Sequence, residues 1–320
     1  MSDILDNVIS TIKEKRKIKD SSLKLYIQNL KKLNEKVFGT KVIKSLKFLE
    51  DKLKVMDTIC KMKPSTRKTI FASILVVMMA MDMDDKVIQF YRDEMEELAR
   101  EYNERVETQT KTPNERENWV ELKELRKVVN KYKLDIMDRK LFDKDPNNLT
   151  NKEFDLIQKW VVGSLYTTDD NPPLRNDYVM SVVNYKDYSK MSDTEKKSQN
   201  FLVVKSRNQK FFSLGDYKTS GQYGVQEIKV GTKLNNVLNK WLNINKTGCL
   251  LLNSKREPMS SNGLGKYINK VFEPTGKRLG ASMLRHIFIS TKFPPQLQEK
   301  QEVAEKMLHS VDMQTQYSKK

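Results

Sequence analysis

Sequence typical of β-strands is confined to one short stretch of this 320-residue chain, and helical patterns fill the sequence on both sides of it. Three segments rich in β-branched and aromatic residues, at 200–205, 210–214 and 225–230, are separated by short polar turns. Consecutive strands joined by short connections pair in an antiparallel manner. We therefore predict a mainly α protein of the α+β class with one small antiparallel sheet.

Elsewhere, apolar residues recur at the spacing of an amphipathic helix. Before the strands, this pattern predicts helices at 23–33, 42–54, 64–83, 87–106 and 118–129, one after Thr150, and one beginning at Leu174 and Arg175. After the strands, it predicts helices at 232–244, 260–273, 280–292 and 296–309, followed by a short helix that carries Tyr317.

The segment 108–117 is polar, lacks large apolar residues and contains Pro113, which is typical of a linker. We place a domain boundary near residue 112. The chain is then predicted to form two domains of ordinary size, 1–112 and 113–320.

The net charge of +17 points to a phosphate polymer as partner, because neutralising phosphates releases counterions. A lysine-rich compositional bias is the alternative, since 46 of the basic residues are lysine and 13 are arginine. The charge is uneven: residues 13–68 carry a net +12 and residues 69–110 a net −6. The first segment is a candidate DNA-facing surface, and the second is a candidate solvated helix face or subunit contact.

No apolar run reaches the length of a membrane span, and the start of the chain has no signal-peptide core. The two cysteines, Cys60 and Cys249, form neither a disulfide framework nor a zinc motif. These features predict a soluble protein in the cytoplasm, the nucleus or a viral replication compartment of a host cell.

Two arginines stand in sequence contexts that call for an anionic partner. Arg175 ends the segment Pro-Pro-Leu-Arg, and Arg285 lies beside the apolar helix residues Leu284, Ile287 and Phe288. Guanidinium groups bind carboxylates and phosphates with bidentate geometry. The alternatives are a capping or surface role for Arg175 and a buried salt bridge for Arg285.

The only two histidines, His286 and His309, fall in the last 35 residues, together with Tyr317 near the end of the sequence. A lone histidine is more often a structural group than a catalytic one, but this grouping favours chemistry. Lys218 lies in the turn after the second predicted strand, a position suited to reaching into a DNA groove.

In this order, the residues resemble the catalytic set of the tyrosine recombinases, or integrases, in a style similar to those of large DNA viruses and eukaryotic mobile elements. The resemblance places the two arginines at Arg175 and Arg285, the hairpin lysine at Lys218, the late histidine at His309 and the nucleophile at Tyr317. It implies a helical core-binding (SAM-like) DNA-binding domain in 1–112 and a catalytic domain in 113–320.

The resemblance implies site-specific recombination or integration of double-stranded DNA through a 3′-phosphotyrosyl intermediate, by a homo-tetramer on paired sites. No metal is expected, because the arginines supply the positive charge that a metal otherwise would. No cofactor, membrane or small-molecule substrate is expected either. A type IB topoisomerase, or a catalytically inactive DNA-binding relative, remains the alternative.

Two features of the sequence depart from the family pattern, one residue and one spacing. Ser282 stands where the family often has histidine or lysine, and serine is a poor general base near neutral pH. His286, which follows Arg285, is a supporting residue and no obvious replacement. The spacing of eight residues between His309 and Tyr317 is one residue shorter than usual. Both departures favour the inactive alternative.

Overall fold

The computed structural model describes residues 3–16, 18–107 and 110–293. The chain divides into two compact units between Lys111 and Thr112, one residue from the boundary expected from the sequence. Each unit has its own hydrophobic core.

The described part of the N-terminal unit consists of helices. They are α1 (Asp3–Lys15), α2 (Asp20–Phe38), α3 (Lys52–Cys60), α4 (Pro64–Ala80) and α5 (Asp85–Glu107). Helix α4 is the centre of this unit, because it packs against the other four helices and is buried along most of its apolar run. Pro64 occupies its first turn, where the missing N–H costs nothing.

The helix predicted at 42–54 is wrong. A 3-10 turn at Lys47–Glu50 buries Phe48 and Leu49 instead, and the Asp51 carboxylate then caps α3 by accepting from Lys54 N at 3.2 Å. The apolar spacing that indicates one helix therefore belongs to a turn and to the start of the next helix.

The C-terminal unit combines helices with a small sheet. Its helices are α6 (Pro113–Asn118), α7 (Leu122–Asp138), α8 (Asn151–Thr167), α9 (Tyr185–Lys190), α10 (Asp193–Ser198), α11 (Ser220–Tyr223), α12 (Thr232–Ile244), α13 (Ser261–Val271) and α14 (Ala281–Lys292). Its strands are β1 (Ser181–Asn184), β2 (Asn200–Ser206), β3 (Gln209–Leu214) and β4 (Gln226–Lys229).

Helix α8 forms the centre of the C-terminal unit. It contacts α7, α12, α13 and α14, and it is buried almost throughout. A Cβ atom at Gly163 would lie 2.5 Å from a methyl group of Val129, so the glycine permits the close approach of α7. Thr150 and Glu153 form the predicted cap of α8.

The α+β class is confirmed, but the sheet is mixed and not wholly antiparallel. The order is β1-β2-β3-β4, with β1 parallel to β2 and the other pairs antiparallel. The sequence interpretation missed β1, which has only four residues. Parallel pairing needs a long crossover, and the α9–α10 connection provides it.

Two further expectations fail. Part of the predicted linker is helix α6, whose start is a capping box between Thr112 and Glu115 with Pro113 at the first position. No helix begins at Leu174 and Arg175, because residues 168–180 form an irregular loop. Among the described residues, no helix is long and apolar enough to cross a membrane.

Candidate active site

Two tyrosines, Tyr166 and Tyr178, hold the loop that carries Arg175 through hydrogen bonds to its backbone. The Tyr166 hydroxyl donates to Arg175 O at 2.7 Å. The Tyr178 hydroxyl donates to Leu165 O at 3.0 Å and accepts from Leu174 N at 3.2 Å. The bonds to Arg175 O and Leu174 N satisfy backbone groups of the loop, so the chain can stay irregular here without leaving these groups unpaired.

The two tyrosines are anchored in the core. Their rings meet edge to face at 5.3 Å, and Tyr178 meets Phe212 of β3 in the same way at 5.4 Å. On the other side of the loop, Asn176 Nδ2 donates to Ser261 O at the start of α13, at 3.1 Å. The Arg175 backbone is therefore fixed by α8, β3 and α13, while its side chain is exposed.

Helix α14 positions Arg285. Met283, Leu284, Ile287 and Phe288 bury two sides of this helix, which leaves Arg285 half-buried on the remaining side. The charge of Arg285 acts on the buried Tyr166 hydroxyl, whose pKa is raised chiefly by burial and is lowered in part by Arg285. Arg285 thus lies near the end of α8 that supports Arg175.

Asp177 interacts electrostatically with both arginines. Burial raises the pKa of its carboxyl, while the charge and backbone of Arg175 and the charge of Arg285 oppose the rise. Asp216 adds a like charge that raises the pKa further. Both guanidinium groups therefore lie within electrostatic range of the same carboxylate.

Neither arginine side chain has a direct ion pair within the described residues, where no carboxylate oxygen lies within 4.0 Å of its nitrogens. The buried salt bridge expected as the alternative for Arg285 is therefore not present in the part of the chain that the structure describes. Two such guanidinium groups are suited to hold an anion with several oxygens, such as a phosphodiester.

Asn200, the first residue of β2, links this region to the loop that bears Lys218. Its Oδ1 accepts from Gly215 N and Asp216 N, each at 3.0 Å. Its Nδ2 donates to Asp216 O at 2.9 Å and to Asp177 O at 3.5 Å. The buried amide thus ties the Asp177 loop to the turn after β3, and Lys218 follows two residues later, exposed to solvent.

Gly215 lets this turn pack closely against the end of α10. A Cβ atom there would lie 1.9 Å from Lys196 O, so a larger residue cannot be accommodated without displacing the backbone. The position of the Lys218 loop is therefore set by backbone contacts.

Ser282 and the supporting residue His286 have different surroundings on α14. Ser282 is exposed in the first turn of the helix, one turn before Arg285. His286 is also exposed, but its Nδ1 lies 2.9 Å from Glu115 Oε1, in the capping box of α6. Burial raises the pKa of Glu115, but the bonds from Thr112 and His286 outweigh burial and lower it overall. His286 therefore joins α14 to α6.

His309 and Tyr317, the expected late histidine and nucleophile, lie outside the described residues. The structure brings Arg175, Arg285 and the loop of Lys218 into one region, and the catalytic roles of all five residues stay predictions. Within the described part of the chain, no group of three or more His, Cys, Asp or Glu residues is placed to hold a metal ion.

Sequence reasoning missed the residues that organise this region. Asp177 and Asn200 are short polar residues of the kind that occur in most loops, and nothing in the sequence distinguishes Asn200. Asp177 carries one usable signal, since it lies two residues after Arg175 and could serve as its counter-charge.

Comparison with protein-family models, with curated proteins and with solved structures found no match to this chain.

Proposed function

We propose that this chain is a DNA strand-transfer enzyme that cuts and rejoins duplex DNA through a covalent bond to Tyr317. The observation that supports it is that Arg175 and Arg285 both act electrostatically on Asp177, while neither side chain forms a direct ion pair with any residue that the structure describes. Asn200 donates hydrogen bonds to the backbone of both the Asp177 loop and the turn before Lys218. Lys218 is therefore a third cation in the same region.

In the proposed reaction, the Tyr317 hydroxyl releases its proton to water, and its oxygen attacks the scissile phosphorus and forms a phosphotyrosyl ester. The bond to the 5′ oxygen breaks, and Lys218 donates a proton to that oxygen as it leaves. Arg175 and Arg285 bind the non-bridging oxygens and stabilise the charge that develops on them. His309 donates a hydrogen bond to the same phosphate.

Rejoining is the reverse of cleavage. A 5′ hydroxyl attacks the phosphotyrosyl ester, loses its proton to Lys218 and releases Tyr317. The phosphotyrosyl ester retains the free energy of the phosphodiester bond that was cleaved, so no nucleotide cofactor is consumed. A homo-tetramer on paired sites exchanges strands between duplexes, whereas a topoisomerase acting as a monomer rejoins the original strand.

The test is covalent trapping with SDS on nicked and supercoiled duplex DNA. We expect wild type to form a protein–DNA adduct and Tyr317→Phe to form none. Arg175→Lys and Arg285→Lys should each reduce the adduct by about 100-fold, because an ammonium group loses the bidentate contact.

Arg126→Lys is the matched control, since Arg126 bonds Thr167 O and Asp169 in a structural role. It should retain adduct formation. Salt-sensitive DNA binding without any adduct would support the inactive DNA-binding alternative. Ser282, at a catalytic position of the family, would then be the first residue to test as the cause of the inactivity.

A further inference from the structure

The sheet of the C-terminal unit has a second face that turns away from the main core. Along β2, Phe201 and Val203 point to this face, while the intervening Leu202 belongs to the main core. Helix α9 covers Phe201 through Tyr188, whose ring lies 6.1 Å away. This arrangement forms a small separate hydrophobic cluster.

Helix α9 does not cover the whole face. Beyond Tyr188, two adjoining cavities of about 470 and 270 Å³ open over the ends of β2, β3 and β4. They form one continuous groove, since both are lined by Lys205, Phe211 and Glu227. We call it the sheet groove, and its other lining residues used below are Tyr185, Lys196 and Lys229.

Aromatic rings form one wall of the sheet groove. Tyr185 is 42% exposed and lines the groove, so part of its ring is accessible there. It meets Phe211 edge to face, with centroids 6.4 Å apart and planes at 72°. Lys205 Nζ lies 5.0 Å from the Tyr185 centroid, so the ring face is occupied by a flexible ammonium group that a flat ligand can displace.

The sheet groove is strongly cationic. Lys205 and Lys229 are exposed, and neither forms an ion pair with any residue that the structure describes. Lys196 Nζ lies 4.9 Å above the Tyr188 ring at the other end of the groove. Glu227 is the one carboxylate among the lining residues, and it accepts a bond from the Tyr188 hydroxyl at 3.0 Å.

We propose that the sheet groove binds single-stranded nucleic acid, with a base stacked on Tyr185 and the backbone phosphates on Lys205 and Lys229. Exposed rings flanked by unpaired lysines are the features that proteins use to hold single strands. Duplex DNA buries the faces of its bases and cannot use the ring. The Glu227 carboxylate can accept a hydrogen bond from an amino group of a base.

This inference goes beyond the proposed strand transfer and does not depend on Tyr317. Any enzyme that opens duplexes exposes unpaired nucleotides, and the sheet groove would hold such a segment. The groove lies on the sheet face opposite to Phe212 and Tyr178, which support the Arg175 loop.

The test uses the full-length Tyr317→Phe variant, so that covalent chemistry cannot contribute. Fluorescence anisotropy would measure its affinity for labelled 12-nucleotide oligothymidine and oligouridine. Tyr185→Ala should weaken binding about tenfold, because loss of one stacked base costs about 1.4 kcal/mol. Tyr185→Phe keeps the ring and should bind as tightly as the parent.

The matched control is Tyr102→Ala. Tyr102 is another exposed tyrosine with a lysine, Lys68, above its ring at 5.4 Å, but it lies on the acidic helix α5. This variant should leave single-strand affinity unchanged, and circular dichroism would show that each variant is folded.

Salt dependence gives a second readout. Lys205→Gln and Lys229→Gln should each reduce the slope of log K against log salt by about 0.7, the value for one phosphate on a single strand. Binding of either oligonucleotide type supports the proposal, and the two arms show whether DNA or RNA is preferred.

Three results would overturn it: no binding of either oligonucleotide, an equal loss in Tyr185→Ala and Tyr102→Ala, or equal competition by an acidic peptide such as oligoglutamate. Failure of covalent trapping would leave this proposal untouched, since single-strand binding is measured without Tyr317.

Discussion

At the scale of single residues, the main feature of the candidate site is the carboxylate of Asp177, which interacts electrostatically with both arginines. Asp177 is close enough to influence Arg175 and Arg285, and its own pKa is raised by burial despite them. A phosphate entering between the arginines must compete with this carboxylate. The charge state of Asp177 should therefore tune the affinity of the site.

We expect Asp177→Asn to tighten non-covalent binding of duplex DNA by about fivefold, since removing one nearby charge is worth roughly 1 kcal/mol. Because burial raises the pKa of Asp177 above its ordinary value of 3.8, its carboxyl takes up a proton at a higher pH than a free aspartate does, and protonation should have the same effect in the parent protein. As the pH is lowered toward 3.8, binding should thus rise more steeply in the parent than in Asp177→Asn. Weaker binding by Asp177→Asn would contradict this and show that the carboxylate is needed to position the arginines.

Asn200 gives a second prediction at this scale. Asn200→Ala should reduce the free energy of unfolding by about 2 kcal/mol, because it removes the acceptor of the buried Gly215 N–H and of the partly buried Asp216 N–H. It should also sharply reduce covalent adduct formation, since the Lys218 loop loses its tie to Asp177.

The control for Asn200 is Asn171→Ala. Asn171 bonds Gly231 N at 2.7 Å and Lys229 O at 3.2 Å, a similar role at the other end of β4. Its loss should destabilise the protein comparably while preserving adduct formation. Similar activity in the two variants at a temperature where both are folded would count against a positioning role for Asn200.

At the scale of elements, several long periodic segments were predictable and the short elements were not. Helix α12 spans Thr232–Ile244 as expected, because its apolar residues keep a helical period over thirteen residues. The equally long segment 42–54 was not predictable, since its apolar spacing belongs to the Lys47–Glu50 turn and the start of α3. The four residues of β1 carry no such signal, and their parallel pairing depends on distant contacts. Arg175 was predicted as a site residue from its sequence context, but the loop around it is fixed by the hydroxyl groups of Tyr166 and Tyr178, which no local pattern reveals.

The contact between α6 and α14 yields a prediction on His286. His286→Ala should lower the free energy of unfolding by less than about 1 kcal/mol, because the pair with Glu115 is partly exposed. Glu115→Ala should cost about 1 to 2 kcal/mol, since it also removes the capping box. Adduct formation should persist in both, and its abolition in His286→Ala alone would indicate a catalytic role.

The same pair has a defined pH dependence. The pKa of Glu115 is lowered in the folded protein from its ordinary value of 4.5. The charged carboxylate therefore stabilises the fold fully at pH values above 4.5. This contribution is lost as the pH falls through the lowered pKa. Denaturant titrations should show the difference between the parent and Glu115→Ala shrinking as the pH is taken below 4.5.

At the scale of the whole molecule, the sequence predicted two units and the structure has two, each with its own core. The net charge of the segment 13–68 is +12, and several of its lysines lie on the exposed side of α2. Lys24 and Lys31 are among them, two turns apart, and neither forms an ion pair with a described residue.

If this surface contacts duplex DNA, replacing Lys24 and Lys31 by glutamine should reduce the salt slope of binding by about 1.8, or 0.9 per phosphate. Lys13 and Lys61 are matched controls, because they are already paired with Asp20 and Asp57. Their replacement should change the slope less. An equal change in both double variants would argue that the effect reflects net charge and no particular surface.

The most direct test of the proposed chemistry is to identify the residue joined to DNA. Full-length protein would be trapped on a nicked duplex, digested with nuclease and protease, and analysed by mass spectrometry for a peptide that carries a nucleotide. Strand transfer as proposed predicts a nucleotide on Tyr317 through a 3′ phosphate. A nucleotide on another residue, a 5′ linkage, or no adduct on DNA that the protein binds tightly would contradict it.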